Sequence, residues 1–422
     1  GKPLRHIYYG YWLILGAFVA EFISAGAQNY VIGPFMIPMT MELGWTRAEF
    51  TIPRTIGGFV TAITGFTIGA YLDKWGPKGF MLAGTLILAL ALYLLSNITE
   101  LWHWVLLNGV ILTLGAAMIG NLVVNVTLIK WFVDYRGRAI ALAAMGVSFA
   151  GVLLTPFTTW AIDTYDWRFA WQLLSLITLV MVLPAAFSMR RAPEDYGQRP
   201  DGRSLEDYQQ GLTQNAINDF NQSLTRREAL TSATFYWLVL TFTLFTITIQ
   251  VMLLQTVPLM TDAGYDRTTA ALMITVISVP AMLAKPIWGW LIDGLSRPRH
   301  LAALSATTTA CALFIIIYAA QTGLLSLIVA GFFLLGLGWG GMIPLQEVIW
   351  ASFFGRRYIG AIRGAAMPFM IALGSIAPIS TSYYYDIVGN YDGAIITVGI
   401  ANLVSAIMIL VIPNKRGSSS NK

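Results

Sequence analysis

The sequence predicts an all-α membrane protein with twelve transmembrane helices arranged as two pseudo-symmetric six-helix bundles. Three observations predict it: apolar runs near twenty residues recur along the chain, a polar stretch divides them six and six, and one offset relates landmarks in the two halves. Hydrocarbon about 30 Å thick takes about 20 residues of helix to cross. Composition agrees, since 56% of the 422 residues are hydrophobic and 11% charged, against about 45–50% and about 25% in soluble chains. Mean hydropathy is +0.66.

Read in order, the first six helices cover 9–38, 47–72, 79–97, 103–132, 138–162 and 169–189. The second six cover 233–261, 267–292, 302–320, 325–352, 359–384 and 393–413. Runs longer than the minimum span imply tilt or projection beyond the bilayer. Residues 1–189 thus form an N-terminal bundle, 190–232 a linker and 233–422 a C-terminal bundle. The linker, with "RRAPEDYGQRPDGRSLEDYQQ", holds nothing that could cross a membrane, and "SLEDYQQGLTQNAINDF" reads as a surface helix. Opening on "HIYYGYWLILGAFVA", the first span is expected to insert and stay, because no cleavable secretion signal is evident.

Orientation follows from the cations. With both termini inside, twenty of the twenty-six lysines and arginines are cytoplasmic, including Lys2, Arg5, Lys415, Arg416 and Lys422. Arg47, Arg168 and Arg267 fall outside, while Arg54, Lys285 and Arg363 lie within helices. This is the positive-inside asymmetry. The expected location is an inner (plasma) membrane of bacterial type, as a monomer with membrane lipid around it.

Other function classes lose ground on composition and motif. A net charge of +5 does not imply nucleic acid, because the basic residues sit in short clusters between spans and form no single patch. Cys311, alone in an apolar run, excludes an internal disulfide and a CxxC site, and its expected role is packing. His6, His103 and His300 have no metal-ligand spacing. No GxxxxGK[ST], HExxH or complete nucleophile elbow occurs, so neither an enzyme nor a metal or cofactor site is expected.

The halves repeat. "LGWTR" at 43–47 and "AGYDR" at 263–267 share Gly and Arg at an offset of 220. The same offset pairs Thr55 with Thr275, Gly69 with Gly289, Asp73 with Asp293 and Arg136 with Arg356. Many secondary transporters are built from such repeats, with substrate near the midplane between them.

"GAYLDKWGPK" at 69–78 resembles the signature loop between helices 2 and 3 of the major facilitator superfamily, and "GWLIDGLSRPR" at 289–299 resembles its degenerate copy. "KWFVDYRGRA", "LLQTVPLMTDAG", "KPIWGWLIDG", "GWGGMIPL" and "YYGYWLILGAF" are similar to segments of its oxalate/formate antiporter and monocarboxylate transporter branch. The resemblance implies the major facilitator fold around a central cavity. It also implies a latch role for Asp73 and Asp293, with Arg136 and Arg356 in the matching cytoplasmic loops. In that branch the helix 8 position held here by Lys285 carries a cation that binds substrate carboxylate.

The residues can be weighed beside that resemblance. An ionised side chain in mid-membrane costs at least about 2.5–3.5 kcal/mol and faces a cavity or partner. Lys285 therefore reads as an anion-binding group, or else as half of a structural ion pair or an amine reaching the interface. Arg54 would be a second anion contact or an outer gate. Glu21, mid-helix in "AFVAEFISAG", is a candidate proton carrier, since desolvation raises a carboxyl's pKa; the bland reading is a structural hydrogen bond. The aligned place in the oxalate exchanger is apolar. Glu347 and Arg363 read as a pair bracing the inner gate.

Gln28, Asn29, Tyr30, Asn121, Asn125, Ser148, Gln250, Gln255, Gln346 and Trp339 mark the expected cavity, although such groups often only hold helices together. The second cation of the oxalate exchanger is missing, with Met370 in its place. Its aromatic cage is eroded to Asn121, Val147, Ile343 and Met367, and the helix 1 lysine of animal monocarboxylate carriers gives way to Gly33. One central cation suits one carboxylate. The expected function is proton-coupled symport of a monocarboxylate; exchange of oxalate/formate type is the alternative, and drug efflux ranks lower. Gly65 and Gly69, like Gly336 and Gly340, have the small-xxx-small spacing of close helix crossings, while Pro34, Pro38, Pro258, Pro280, Pro286 and Pro378 mark kinks.

Overall fold

The computed structural model describes residues 7–413, apart from the side chains of Arg47, Arg267, Pro378, Ile379 and Ser382. Lys2, Arg5, His6, Lys415, Arg416 and Lys422, used above, lie outside the described residues, as do the side chains of Arg47 and Arg267.

Among the described residues the fold is all helical, without strands. Six helices precede the linker: α1 (Tyr9–Leu43), α2 (Arg47–Trp75), α3 (Lys78–Leu95), α4 (Leu101–Trp131), α5 (Arg136–Thr164) and α6 (Trp167–Phe187). After it come α7 (Ala233–Asp262), α8 (Arg267–Leu295), α9 (Pro298–Thr322), α10 (Leu325–Phe354), α11 in two pieces (Ile359–Gly374 and Ile376–Val388) and α12 (Asp392–Val411). Eleven are long and apolar enough to span a membrane, and α11 is the shorter twelfth. Large apolar side chains such as Phe59, Ile63, Leu86, Val180, Ile287 and Ile407 stand exposed on helix surfaces, where water would be a poor solvent and lipid a good one.

Local chemistry fixes many ends. Thr46 and Glu49 form a capping box at α2, while Asp166 and Ser232 accept backbone N–H bonds at the starts of α6 and α7. The expected continuous helix over 359–384 is interrupted at Ser375. Pro378 supplies no N–H for the carbonyl four residues earlier, that of Gly374. Pro344 does the same to Gly340, where α10 turns before restarting at Met342. The expected linker helix is two short ones, Leu205–Gln209 and Gln214–Asn221, followed by Arg226–Leu230.

The chain forms two compact units. One runs to Arg226 and includes Phe354–Pro368; the other holds Arg227–Phe353 and the chain from Phe369 onward. In the first, α3 packs on α4 and α6, α4 on α2, and α1 on α5 and α6. In the second, α9 packs on α10 and α12, α10 on α8, and α7 on α12 and the second piece of α11. Each pairing maps onto the other by six helices, so the sequence repeat is also a packing repeat.

Within the first unit, α2 meets the first piece of α11 through glycines. A Cβ on Gly360 would lie 2.6 Å from the Gly69 carbonyl oxygen, and one on Gly364 would lie 3.1 Å from Gly69 Cα. Gly65 is covered by Met367 and by Gly364. The small-xxx-small reading of Gly65 and Gly69 holds, with Gly360 and Gly364 as the partners. In the second unit, Gly340 rests on Ala281 and Ala284, and Gly336 on Ile277 and Pro280. Cys311 corrects an expectation: it lies exposed on α9 rather than packed, because the opposite face of that helix already meets α10 and α12.

Candidate functional site

In the first unit the polar candidates gather where helices lose regularity. α1 widens into a π-turn over Gly26–Tyr30, which carries Gln28, Asn29 and Tyr30. α5 does so over Ala150–Leu154, just after Ser148. The two π-turns pack together, with the Tyr30 ring against Gly151 and Thr155 Oγ1 donating to the Tyr30 carbonyl at 2.7 Å. π-turns inside α-helices recur at functional sites.

α4 has its own π-turn (Val105–Leu112) and breaks at Gly120, whose ψ of −156° is not helical. A Cβ there would lie 2.7 Å from Ser24 Oγ of α1 and 2.8 Å from the Ala116 oxygen of α4 itself, so this glycine sits at a close approach of α4 to α1. The helix restarts at Asn121, and Asn125 Nδ2 donates to Asn121 Oδ1 at 2.7 Å. Asn125 is fully buried, while Asn121 and Asn29 are exposed and Gln28 is half-buried. Arg54 is exposed on α2, Ser148 is buried, and Glu21 retains 1% exposure.

The second unit breaks at the equivalent place: Gly120 and Gly340 are 220 apart, the offset of the sequence repeat. Glycine-interrupted helices at corresponding points of two repeats mark binding sites in secondary transporters, and a helix start presents backbone N–H groups to an anion. Around the α10 break, Trp339 Nε1 donates to Thr248 Oγ1 at 3.0 Å, and Trp288 Nε1 donates to the Leu337 carbonyl at 2.8 Å with its ring against Gly341. Lys285 lies one turn before Trp288 on α8, 5% exposed. Gln255 is buried on α7, Gln250 is exposed beside Gly374, and Gln346 faces Met370 sulfur. Glu347 belongs to the second unit and Arg363 to the first, 3% and 6% exposed. Asp293 is half-buried near the end of α8.

The remaining candidates meet in a charged network in the first unit. Asp73 pairs with Lys130 at 2.7 Å and accepts from the backbone N–H groups of Gly360 (3.0 Å) and Ala361 (2.8 Å), the first turn of α11. A carboxylate on a helix N-terminus gains from the dipole as well as the bonds. Lys130 also donates to the Arg357 carbonyl at 3.2 Å.

Arg136 and Arg356, the repeat-related arginines, share one carboxylate. Asp219 of the linker takes Arg136 Nη2 at 3.4 Å and the Arg356 backbone N–H at 3.1 Å, and Arg356 also pairs with Glu194. Asp201 accepts from the N–H groups of Val133, Asp134 and Tyr135 just before α5. Burial raises its carboxyl above the ordinary aspartate range, against those bonds. Lys130, Glu194, Asp201 and Asp219 were missed as site residues. Their only sequence signal is acid in the linker and a lysine at a helix end, which reads equally as solvated charge.

Membrane-length helices and glycine breaks related by the sequence repeat define a polytopic membrane protein built from two repeats. The chain belongs to the major facilitator superfamily, whose profile matches residues 17–377 and again 237–422. It is 24% identical over 416 residues to monocarboxylate transporter 13 of Bos taurus, covering 96% of this chain and 90% of that one. It is also 24% identical over 393 residues to a riboflavin transporter of Saccharomyces cerevisiae, covering 87% and 70%. The proton:xylose symporter structure bound to 6-bromo-6-deoxy-D-glucose superposes with TM-score 0.74 at 14% identity over 97% of each chain. The E. coli fucose:proton symporter gives 0.68 at 15% identity, over 95% of this chain and 98% of that one. These likenesses establish the fold.

Proposed function

We propose that the protein is a secondary active transporter of a small organic anion, a monocarboxylate, working by alternating access with proton symport. The observation that carries this reading is Lys285, a lysine buried to 5% exposure in the apolar helix α8, one turn from the tryptophan seated on the α10 break. A carboxylate arriving at that cation would gain a charge-assisted hydrogen bond in a site of low dielectric. The resemblance to the monocarboxylate transporter branch supports the same position, and the relative named for monocarboxylate transport, similar along nearly the whole chain, supports a carboxylate as substrate.

Asn121, Asn125, Gln28, Asn29, Tyr30, Ser148, Gln250, Gln255, Arg54 and Trp339 would shape the substrate's surroundings. Glu21, at 1% exposure, is the proposed proton carrier; a proton moving with the anion makes the transported pair neutral. Asp73, Asp293, Arg136, Arg356, Glu347 and Arg363 would gate. The lysine and arginine asymmetry supports cytoplasmic termini.

Counterflow in proteoliposomes with a panel of carboxylates, at two pH values, tests the reading. One charge-assisted hydrogen bond contributes about 1.5–3 kcal/mol, so Lys285→Gln should lower apparent carboxylate affinity by about 10- to 150-fold, with Lys285→Arg recovering part. Normal transport by both Lys285→Ala and Lys285→Gln would dispose of the anion site. Uptake indifferent to an imposed pH gradient would remove Glu21 from its role and leave exchange.

A further inference from the structure

The asparagine pair at the α4 break has a direction. Asn125 Nδ2 donates to Asn121 Oδ1 at 2.7 Å, and Asn125 Oδ1, on a residue 0% exposed, has no hydrogen-bond partner among the described residues. Leaving a buried amide oxygen so costs about 1–3 kcal/mol, which a donor brought to it would recover. Asn121 is exposed, so the pair joins a dry end to an open one. A primary amide accepts at one end and donates at the other. With its oxygen taken by Asn125, Asn121 offers its NH2 group outward; with Asn125 turned over, it would offer its oxygen.

Glu21 stands at the dry end. With three crossings between them, α1 and α4 run in opposite directions. Ser24 Oγ donates to the Ala116 carbonyl at 2.8 Å and lies 2.7 Å from where a Gly120 Cβ would be, which sets Ser24 level with the break. Glu21, three residues earlier at about 1.5 Å each, is displaced in the direction in which α4 restarts. Its side chain leans further that way, toward the start of α1, and that of Asn125 leans back toward Asn121. Around the α1 axis Glu21 falls between Ser24, which faces α4, and Phe18 and Phe22, whose backbone meets Gly146 of α5. The carboxyl, on a residue 1% exposed, thus enters the same buried interface as the Asn125 amide. Charged residues of the helices packed on this part of α1 stand at their ends: His103 and Lys130 on α4, Arg136, Arg138 and Asp163 on α5, and Arg168 on α6. Asp201 of the linker lies by the start of α1.

We propose that Glu21, Asn125 and Asn121 form a polarity switch that couples the proton to the anion. Protonated Glu21 donates to Asn125 Oδ1, which holds the pair in its present direction and leaves the Asn121 NH2 group for a carboxylate. Ionised Glu21 accepts from a turned Asn125, which reverses the pair and points the Asn121 oxygen at the anion instead. No covalent bond changes; the proton enters and leaves at the Glu21 carboxyl. Asn125 is thereby a positioning residue. The switch rests on the transporter reading, and the tests separate the two.

The first test is equilibrium binding of acetate, lactate and pyruvate to purified protein, two pH units apart. One linked proton changes affinity by up to about tenfold per pH unit, so the wild type should bind at least tenfold more weakly at the higher pH. Asn125→Leu keeps Glu21 ionisable and should erase that difference. Asn121→Ala, at an exposed position, should erase it too and covers a failure of Asn125→Leu to fold. A pH dependence that survives both substitutions overturns the switch, as does a wild type that binds equally at both pH values.

The second test needs no substrate. In pH-difference infrared spectra, the carboxylic C=O band that Glu21→Gln abolishes belongs to Glu21. Its bond to Asn125 predicts that Asn125→Leu moves the band to higher frequency, as loss of a hydrogen bond does. A band that stays in place overturns the switch, and so does a Glu21→Gln spectrum that loses no band. Protein that binds none of the three anions, yet shows the shift, sinks the carboxylate reading and leaves the bond between Glu21 and Asn125 standing.

Discussion

Replacing Gly360 by alanine tests whether glycine contact holds the start of α11. The new methyl would sit 2.6 Å from the Gly69 oxygen and 2.8 Å from Asp73 Oδ1. Ordinary contact begins at 3.4 Å, so α2 and α11 must part by about 0.8 Å, with one obstacle a backbone atom that no rotamer change can move. Overpacking of this kind costs about 1–3 kcal/mol, which is about 5- to 150-fold in the equilibrium between the packed and released crossing. The readout is maleimide labelling of a thiol introduced by Ala365→Cys, a site 1% exposed on the same helix, in a Cys311→Ser background. Gly79→Ala and Gly294→Ala are the controls, since a Cβ at either meets nothing within 4 Å. Helix propensity alone should make those two neutral or stabilising by up to about 1 kcal/mol. If Gly360→Ala labels no faster than the controls and melts no lower, close glycine contact does not hold this crossing.

Two further outcomes follow from the charged network. Asp73→Asn leaves buried Lys130 with the Arg357 carbonyl and no carboxylate, so it should lower stability by about 3–5 kcal/mol; the double variant with Lys130→Met should recover part of that in thermal melts, and strict additivity would deny the pair. Asp201 has a carboxyl raised by burial, so the native chain takes up its proton at a higher pH than the unfolded chain does. Its titration therefore adds stability as pH falls through the native pKa toward the ordinary value and subtracts it as pH rises. Asp201→Asn should flatten that part of the stability–pH profile measured in detergent, and an unchanged slope would refute the assignment.

Much was legible in one dimension because lipid imposes a one-dimensional rule. Helix number, the linker and the repeat follow from apolar run length and a fixed offset, and neither needs to know what packs on what. Gly65 and Gly69 announced a close crossing by spacing alone. The breaks at Gly120 and Gly340 could have been read from the same offset, but glycine is common in these helices and the sequence gives no ψ. Cys311 misled because an apolar run does not say which face meets protein and which meets lipid when both are apolar.

The network around Asp219 had no such rule behind it. Its members come from residues 73, 130, 136, 194, 219 and 356, and no periodicity links them. An acid in a polar linker looks solvated until the fold takes away its water. By itself, then, the sequence determined the solvent, the helices, the twofold repeat and the presence of a lysine where water is scarce. The tertiary structure decided which glycines touch, where helices break and which carboxylate answers each arginine, because a charge's partner is set by distance through space and only apolar length is written along the chain.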